Sequence, residues 1–398
     1  MASQDLDIKD YYVEDADSCT ESELMSIFPL KYRVSKKISL SDSSRNTAYV
    51  KIAVGASEES LAIGSKNGEV SCYDCNVGNS LSTFKAHEQE VTGIRYCPTN
   101  NKIVYSCSVD GTVKVRDMRS NQFEHTYEYK NEGGKGMPFT CLDLNNTGEF
   151  LCTGTTFINE DAYLLFWDVR KQQQLLGAYA DSHSDDVTAV HFHPYKRAEL
   201  ASAAMDNLIN IFDVSKSSES DAFTQCINFE TTPDSIIWDS HQDHESKLFA
   251  INFSQVIQYW DIEDTEPLAD LKPKKYCKAM RRTTPEQCHF LSLNYTKTQD
   301  PILMFGSNLG LSTHVNACIR TLRFDRNKKM LFPHSALELQ GSKTVEVFDS
   351  VYLPNSDIFV TLENGSLKYW SPQHKKRNLA EDAVSGEELS FNLKKQKL

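Results

Sequence analysis

The chain has 398 residues, of which 40% are hydrophobic and 24% charged, a balance that fits a globular protein and excludes a disordered one. Lys and Arg number 42 against 55 Asp and Glu, a formal net charge of −13, which argues against a protein that coats nucleic acid by neutralising phosphates. The opening MASQDLDIKD has neither the basic stretch nor the apolar core of a secretory leader, and apolar runs such as Tyr163 to Trp167 fall far short of a bilayer span. The eleven cysteines lack paired spacing, as expected of a reducing compartment.

Residues 1–27 carry Asp5, Asp7, Asp10, Glu14, Asp15, Asp17, Glu21 and Glu23 against the single Lys9, and are predicted to be a disordered acidic tail. The run Lys31 to Leu40 alternates like a strand. A repeat then occupies the middle of the chain. A short β-prone run ends in a hydrophobic residue, often aromatic, followed by Asp, at Tyr73-Asp74, Trp167-Asp168, Phe212-Asp213 and Trp260-Asp261, with Arg116-Asp117 as a variant. The Asp residues are 43, 51, 45 and 48 positions apart. A weaker copy is expected to end near Val315-Asn316, and a last one ends at Tyr369-Trp370, which makes seven.

Inside the second copy, Val91 to Tyr96 alternates, Ile103 to Ser108 is β-prone, Asp110-Gly111 is a tight-turn pair and Val113 to Asp117 is a further strand. The first and last copies repeat the hairpin with Asn67-Gly68 and Asn364-Gly365. Four short antiparallel strands repeated seven times predict an all-β, seven-bladed β-propeller over residues 28–372. The last copy stops at Trp370, one strand short, so the N-terminal strand is expected to complete it, closing the ring and removing two sheet edges. Residues 373–398 are polar and are predicted to form a disordered tail.

The stretches KAHEQEVTGIRYCP at 85–98 and SVDGTVKVRD at 108–117, with HSDDVTAVHFHP at 183–194, resemble the WD-repeat propeller family. The segments 160–170 and 176–188 carry that resemblance toward one little-characterised eukaryotic branch of it. The resemblance implies a seven-bladed nucleocytoplasmic propeller without catalytic activity. It also implies a hydrogen-bonded tetrad of His, Asp, Ser or Thr, and Trp in each blade. The second copy offers His87, Asp110 and Ser106 but has Arg116 for the Trp; the fourth offers His183, Asp206 and Ser202 but has Phe212. The copies with Trp167, Trp260 and Trp370 lack the His.

Catalytic, cofactor and metal motifs do not survive inspection. Cys72 and Cys75 have CxxC spacing, yet a redox pair needs a helix N-terminus and zinc needs two more ligands. His191 and His193, and His241 and His244, have no carboxylate or thiol at ligand spacing. Gly133-Gly134-Lys135-Gly136 lacks the Ser or Thr of a phosphate loop, and GxSxG is absent. No enzyme, cofactor or metal is expected.

Binding is the expected function. The turns holding His87, Glu88, Glu90, Asp110, Asp185, Asp186 and Asp206 should crowd one acidic rim that suits a basic protein partner. A different expectation attaches to Trp167-Asp168-Val169-Arg170, a WDxR box resembling that of cullin-4 ubiquitin ligase receptors, with Arg116-Asp117-Met118-Arg119 as a degenerate copy. Arg170 and Arg119 would then contact the ligase adaptor. The basic clusters Lys375, Lys376, Arg377 and Lys394, Lys395, Lys397 predict an import receptor as a further partner and a mainly nuclear protein. Neither direct nucleic-acid binding nor membrane association is expected.

Overall fold

The computed structural model describes residues 26–40, 48–75, 78–120, 122–130, 134, 136–158, 160–171, 174–282, 288–306, 319–338, 347–363 and 365–373. The two expected tails lie outside these residues, apart from Ser26, Ile27 and Gln373.

Five sheets each take four consecutive strands in meander order. Strands β2–β5 are Tyr49–Val54, Ser60–Ser65, Glu69–Asp74 and Ser80–Lys85. Strands β6–β9 are Val91–Cys97, Asn100–Ser108, Thr112–Asp117 and Phe123–Glu128. Strands β10–β13 are Phe139–Leu144, Phe150–Thr155, Leu164–Asp168 and Leu175–Tyr179. Strands β14–β17 are Val187–Phe192, Glu199–Ala204, Leu208–Asp213 and Phe223–Asn228. Strands β18–β21 are Pro233–Trp238, Lys247–Asn252, Ile257–Asp261 and Ala269–Leu271. Two short helices interrupt the pattern, α1 at Glu219–Ala222 and α2 at Pro273–Ala279.

A sixth sheet has eight strands. Strands β22–β25 are His289–Tyr295, Pro301–Gly306, Ile319–Asp325 and Met330–Glu338. Strands β26–β28 are Val347–Leu353, Ile358–Glu363 and Ser366–Pro372, and β1, Leu30–Ser39, lies between the two groups. The N-terminal strand pairs antiparallel with β28 from Tyr32 opposite Pro372 to Ser39 opposite Ser366, supplying the fourth strand that the last hairpins lack. It also pairs parallel with β25, from Leu30 opposite Ser335 to Arg33 opposite Glu338. That second pairing, to β25, covers a further edge and fuses two four-stranded units into one sheet.

Alternation along each strand explains the packing. Leu165 and Trp167 of β12 join Tyr105, Val113, Phe139 and Leu142 in the core between two sheets, while Leu164 and Phe166 join Val187, Val190, Leu200 and Phe212 in the next. Successive first strands touch: β2 meets β6 and β26, β6 meets β10, β10 meets β14, β14 meets β18, and β22 meets β26. Phe249 and Tyr259 pack with Leu293, Phe305 and Phe324 to join β18–β21 to β22–β25. Each sheet therefore packs against the next, and the last unit against the first.

Side chains cross-link the first strands along this axis. Asp143 takes Arg95 Nε at 2.9 Å and the Phe192 amide at 2.8 Å; Asp349 accepts from the Ile52 amide at 3.0 Å; Asn294 accepts from the Tyr352 amide at 2.9 Å. First strands have an edge without a strand partner, and these acceptors satisfy its amides.

The sixth unit departs from the sequence expectation. The position near Val315-Asn316 lies outside the described residues; the third strand of that unit is β24, which ends in the aromatic–Asp pair Phe324-Asp325. Asp325 caps the turn by accepting from the Asn327 and Lys328 amides at 3.0 Å each. No helix among the described residues is long and apolar enough to cross a membrane.

Candidate interaction surface on the turn rim

In β6–β9 the second and third strands are joined by a turn, and the loop that enters the first strand lies beside it. This pair is locked by His87, which has no solvent exposure. Its Nδ1 lies 3.1 Å from Asp110 Oδ2 and 3.0 Å from Thr112 Oγ1, and its Nε2 lies 2.8 Å from Ser106 Oγ. Asp110 also accepts from the Glu88 and Thr112 amides. Gly111 makes the turn at φ +79°, and a Cβ there would sit 2.8 Å from the Met137 carbonyl oxygen. The next-but-one sheet repeats the relay: His183 reaches Asp206 Oδ2 at 3.0 Å and Ser202 Oγ at 2.6 Å, and Asp206 accepts from the Ser184 and Leu208 amides.

Burial alone would raise both carboxyls. Hydrogen bonds from His87 and Thr112 to Asp110, and from His183 to Asp206, outweigh it and hold both below the usual carboxylate range. His87, Asp110, His183 and Asp206 thus spend their polar atoms on one another. These bonds fix the turns. Among the anticipated rim residues, the carboxylates left toward solvent are the exposed Glu88 and the half-buried Glu90, Asp185 and Asp186.

The fourth tetrad position is filled in three ways. Arg116 stands where Trp would be and lays its guanidinium 4.0 Å from the Phe84 ring centre, flanked by Phe123. Phe212 is fully buried against Tyr179 and Phe223. Trp370 keeps the tetrad bond, its Nε1 donating to Thr361 Oγ1 at 3.0 Å, a partner that the sequence reading missed.

Arg119 and Arg170 sit elsewhere. Strands β8 and β12 run from the turn rim to the opposite one, so both arginines emerge at the far ends of their sheets. Arg170 grips Asp168 through Nε and Nη2 at 2.9 Å each and reaches Glu149 through Nη1 at 2.8 Å. Arg119 holds Asp117 in the same bidentate way. These bonds draw both carboxyls below the ordinary range. The two sets of anticipated contact residues therefore cannot belong to one site.

The turn rim is also not acidic throughout. Helix α2 follows the outer strand β21 on that side, and Tyr276 Oη ties it to the Gln255 carbonyl in the turn between β19 and β20. It presents exposed Lys272, Lys274, Lys275 and Lys278. The run KPKKYCKAMRR at 272–282 was the available signal.

Other residues singled out in the sequence are structural. Burial pushes the Cys72 and Cys75 thiols up to about 12, which leaves neither a nucleophile near neutral pH. His193 donates from Nε2 to the Glu245 carbonyl at 2.7 Å and accepts the Tyr195 and Lys196 amides at Nδ1. Among the described residues no group of three or more His, Cys, Asp or Glu could hold a metal ion. The basic clusters Lys375, Lys376, Arg377 and Lys394, Lys395, Lys397 lie outside the described residues.

Comparison with known proteins agrees with this geometry. The family model described as WD domain, G-beta repeat matches residues 78–117 and 174–213. Each match begins before the outer strand of one sheet and runs through three strands of the next. The chain is 30% identical over 166 residues to an uncharacterized WD repeat-containing protein of Schizosaccharomyces pombe, covering 41% of this chain and 48% of that one. It is 34% identical to an uncharacterized WD repeat-containing protein of Saccharomyces cerevisiae, covering 42% of each. These matches span less than half the length of either yeast protein. A longer match, at 24% identity over 68% of this chain and 70% of the other, is to WD repeat-containing protein 89 homolog of Dictyostelium discoideum. With a complete His–Asp–Ser relay inside each matched stretch, the chain carries WD40 repeats.

Proposed function

We propose that this chain is a non-catalytic scaffold for protein–protein interaction: a seven-bladed propeller, acting mainly in the nucleus, whose turn rim holds a basic segment of a protein partner. The blade count follows from taking the eight-stranded sheet as two blades divided at the parallel β25–β1 pair. The observation that carries the binding reading is the division of labour on the rim. Buried His–Asp relays hold the turns rigid; Glu88, one position past His87, is exposed, and Asp185 and Asp186, two and three positions past His183, are half-buried. Rigid loops that present carboxylates supply both fixed geometry and charge complementarity. A basic-peptide array probed with the full chain should give signals that fall when Asp185→Lys and Asp186→Lys are introduced together; signals indifferent to that change refute the reading. Nuclear entry is assigned to the C-terminal clusters, and a fluorescent fusion truncated after Pro372 should lose its nuclear enrichment; equal distribution of both fusions refutes it.

A second reading makes the chain a cullin-4 ligase receptor through Trp167–Arg170. It is favoured by the half-exposed Arg170 guanidinium, held in a fixed orientation by Asp168. The ligase's propeller adaptor should co-purify with the parent protein and be lost with Arg170→Ala; its absence from the parent pulldown rejects this reading.

A further inference from the structure

Among the described residues, three of the few large hydrophobic side chains that are well exposed fall on one part of the turn rim. Phe157 is 39% exposed, Met205 40% and Phe253 55%. Each follows the second strand of its own sheet by one or two residues, after Thr155, Ala204 and Asn252. They belong to three consecutive sheets.

Backbone and side-chain bonds join the three into a continuous strip. Asp186 accepts the Phe157 amide on Oδ1 at 2.6 Å and the Met205 amide on its carbonyl at 2.8 Å. Asn207, two residues past Met205, accepts from Thr232 Oγ1 at 3.1 Å, and the Thr232 carbonyl takes the Phe253 amide at 3.4 Å. The relay of His183 and Asp206 fixes the central turn from below. The backbone at all three positions is therefore fixed by the fold.

The segments that build it carry carboxylates. Glu160, Asp181 and Glu230 are exposed, and Asp185 and Asp186 are half-buried. The segments that build the strip, 155–163, 180–187, 204–208, 228–233 and 252–257, contain no Lys or Arg at all. The lysines of α2 stand beyond Phe253 at one end, and the exposed Lys130 stands at the other, on the loop whose Pro138 carbonyl takes the Thr156 amide. An exposed apolar row edged by carboxylates marks a surface for another protein, and its charge selects a cationic one.

We infer that the strip Phe157–Met205–Phe253 docks an extended Lys- or Arg-rich segment of a partner protein that carries large apolar side chains between its charges. In an extended segment alternate residues face one side, so apolar side chains can enter the row while the flanking cations meet the carboxylates. The inference rests on the reading of the acidic rim as a binding surface and adds the apolar half of the partner's chemistry.

The test uses the full chain and two fluorescein-labelled peptides, one alternating Lys with Leu and the other alternating Lys with Ser, followed by anisotropy at physiological ionic strength. The Lys–Leu peptide should bind at least about tenfold more tightly, and the combined Phe157→Ser, Met205→Ser, Phe253→Ser variant should bring the two affinities together. A control with Leu81→Ser and Leu176→Ser, exposed on outer strands β5 and β13, should keep the difference. Equal binding of both peptides by the parent overturns this inference and leaves the acidic-rim reading standing; binding of neither overturns both. A parent dimer that the triple Ser variant dissociates would make the strip a self-interface and overturn the partner assignment. So would a chain truncated after Pro372 that binds the Lys–Leu peptide about tenfold more tightly than the full chain, since its own basic end would then be the occupant.

Discussion

The Asp239–Arg326 pair gives the most exacting test of how the ring holds together. Asp239 closes β18 with no solvent exposure, and Arg326 follows β24 in the neighbouring unit. Arg326 donates to Asp239 through Nε at 2.7 Å and Nη2 at 2.5 Å, and the Tyr259 hydroxyl donates to the same carboxylate at 2.8 Å. Replacing Arg326 by Met keeps most of the side-chain volume but leaves a buried carboxylate with the Tyr259 hydroxyl as its one remaining side-chain donor. Removing one member of a buried pair costs about 3–5 kcal/mol. That is a large share of the roughly 5–15 kcal/mol by which folded proteins exceed their unfolded states. Equilibrium urea unfolding followed by tryptophan fluorescence should show that loss. Adding Asp239→Asn, which removes the stranded charge, should return at least about 1 kcal/mol, a coupling that independent sites would not show. Arg119→Met, which removes an exposed guanidinium from Asp117 on the same rim, should cost far less. If Arg326→Met costs no more than Arg119→Met, the seam between these units is not held by its ion pair and the reasoning fails.

Asp110 and Asp206, held below the usual carboxylate range, contribute stability that is complete above about pH 4 and is lost as pH falls toward their depressed values. Asp206→Asn should therefore destabilise the chain at neutral pH, and its deficit against the parent should shrink in acid; a deficit that is constant with pH refutes the relay's electrostatic role. Deleting residues 1–45 removes β1 and uncovers β25 and β28 together, so the thermal midpoint should fall sharply, and an unchanged midpoint refutes closure by this strand. Among the described cysteines Cys226 alone is exposed, so native alkylation near pH 8 read by mass spectrometry should label it long before Cys72 or Cys75, whose thiols sit at about 12. Equal labelling of the three would contradict the burial.

What could be read from the sequence divides along physical lines. The hairpins at Asn67-Gly68 and Asp110-Gly111 announced themselves because a left-handed turn restricts residue choice at fixed offsets from alternating strands. The relay of His87, Ser106 and Asp110 was legible through the resemblance to the WD-repeat family, which implies these residue types at these offsets. The sixth unit failed because α2 and the long stretches around it stretch the interval between Asp261 and Asp325, and spacing was the only guide there. The axial bonds from Asp143 to Phe192 and from Asp349 to Ile52 were invisible: they depend on a bulge in each first strand that shifts its register, which no local pattern in Phe139–Leu144 or Val347–Leu353 reveals. The stacking of Arg116 on Phe84 was equally hidden, because it pairs residues from strands that adjoin only through the sheet order.

The offset between repeat and sheet bears on where recognition can evolve on this scaffold. Both matched stretches begin before an outer strand and end on the third strand of the following sheet, so the loop that carries the relay His is always covalently bound to two sheets. The relay therefore locks the junction between sheets as well as the turn beneath it. Once the turn is locked, the residue beside the relay Asp is free of structural duty: Met205 next to Asp206 and Asp185 two past His183 can change without loosening a strand. Recognition on this rim is thus carried by the neighbours of the structural residues. Under the proposed function, the charged and apolar side chains at those neighbouring places, and not the His and Asp residues that first draw the eye, would choose the partner.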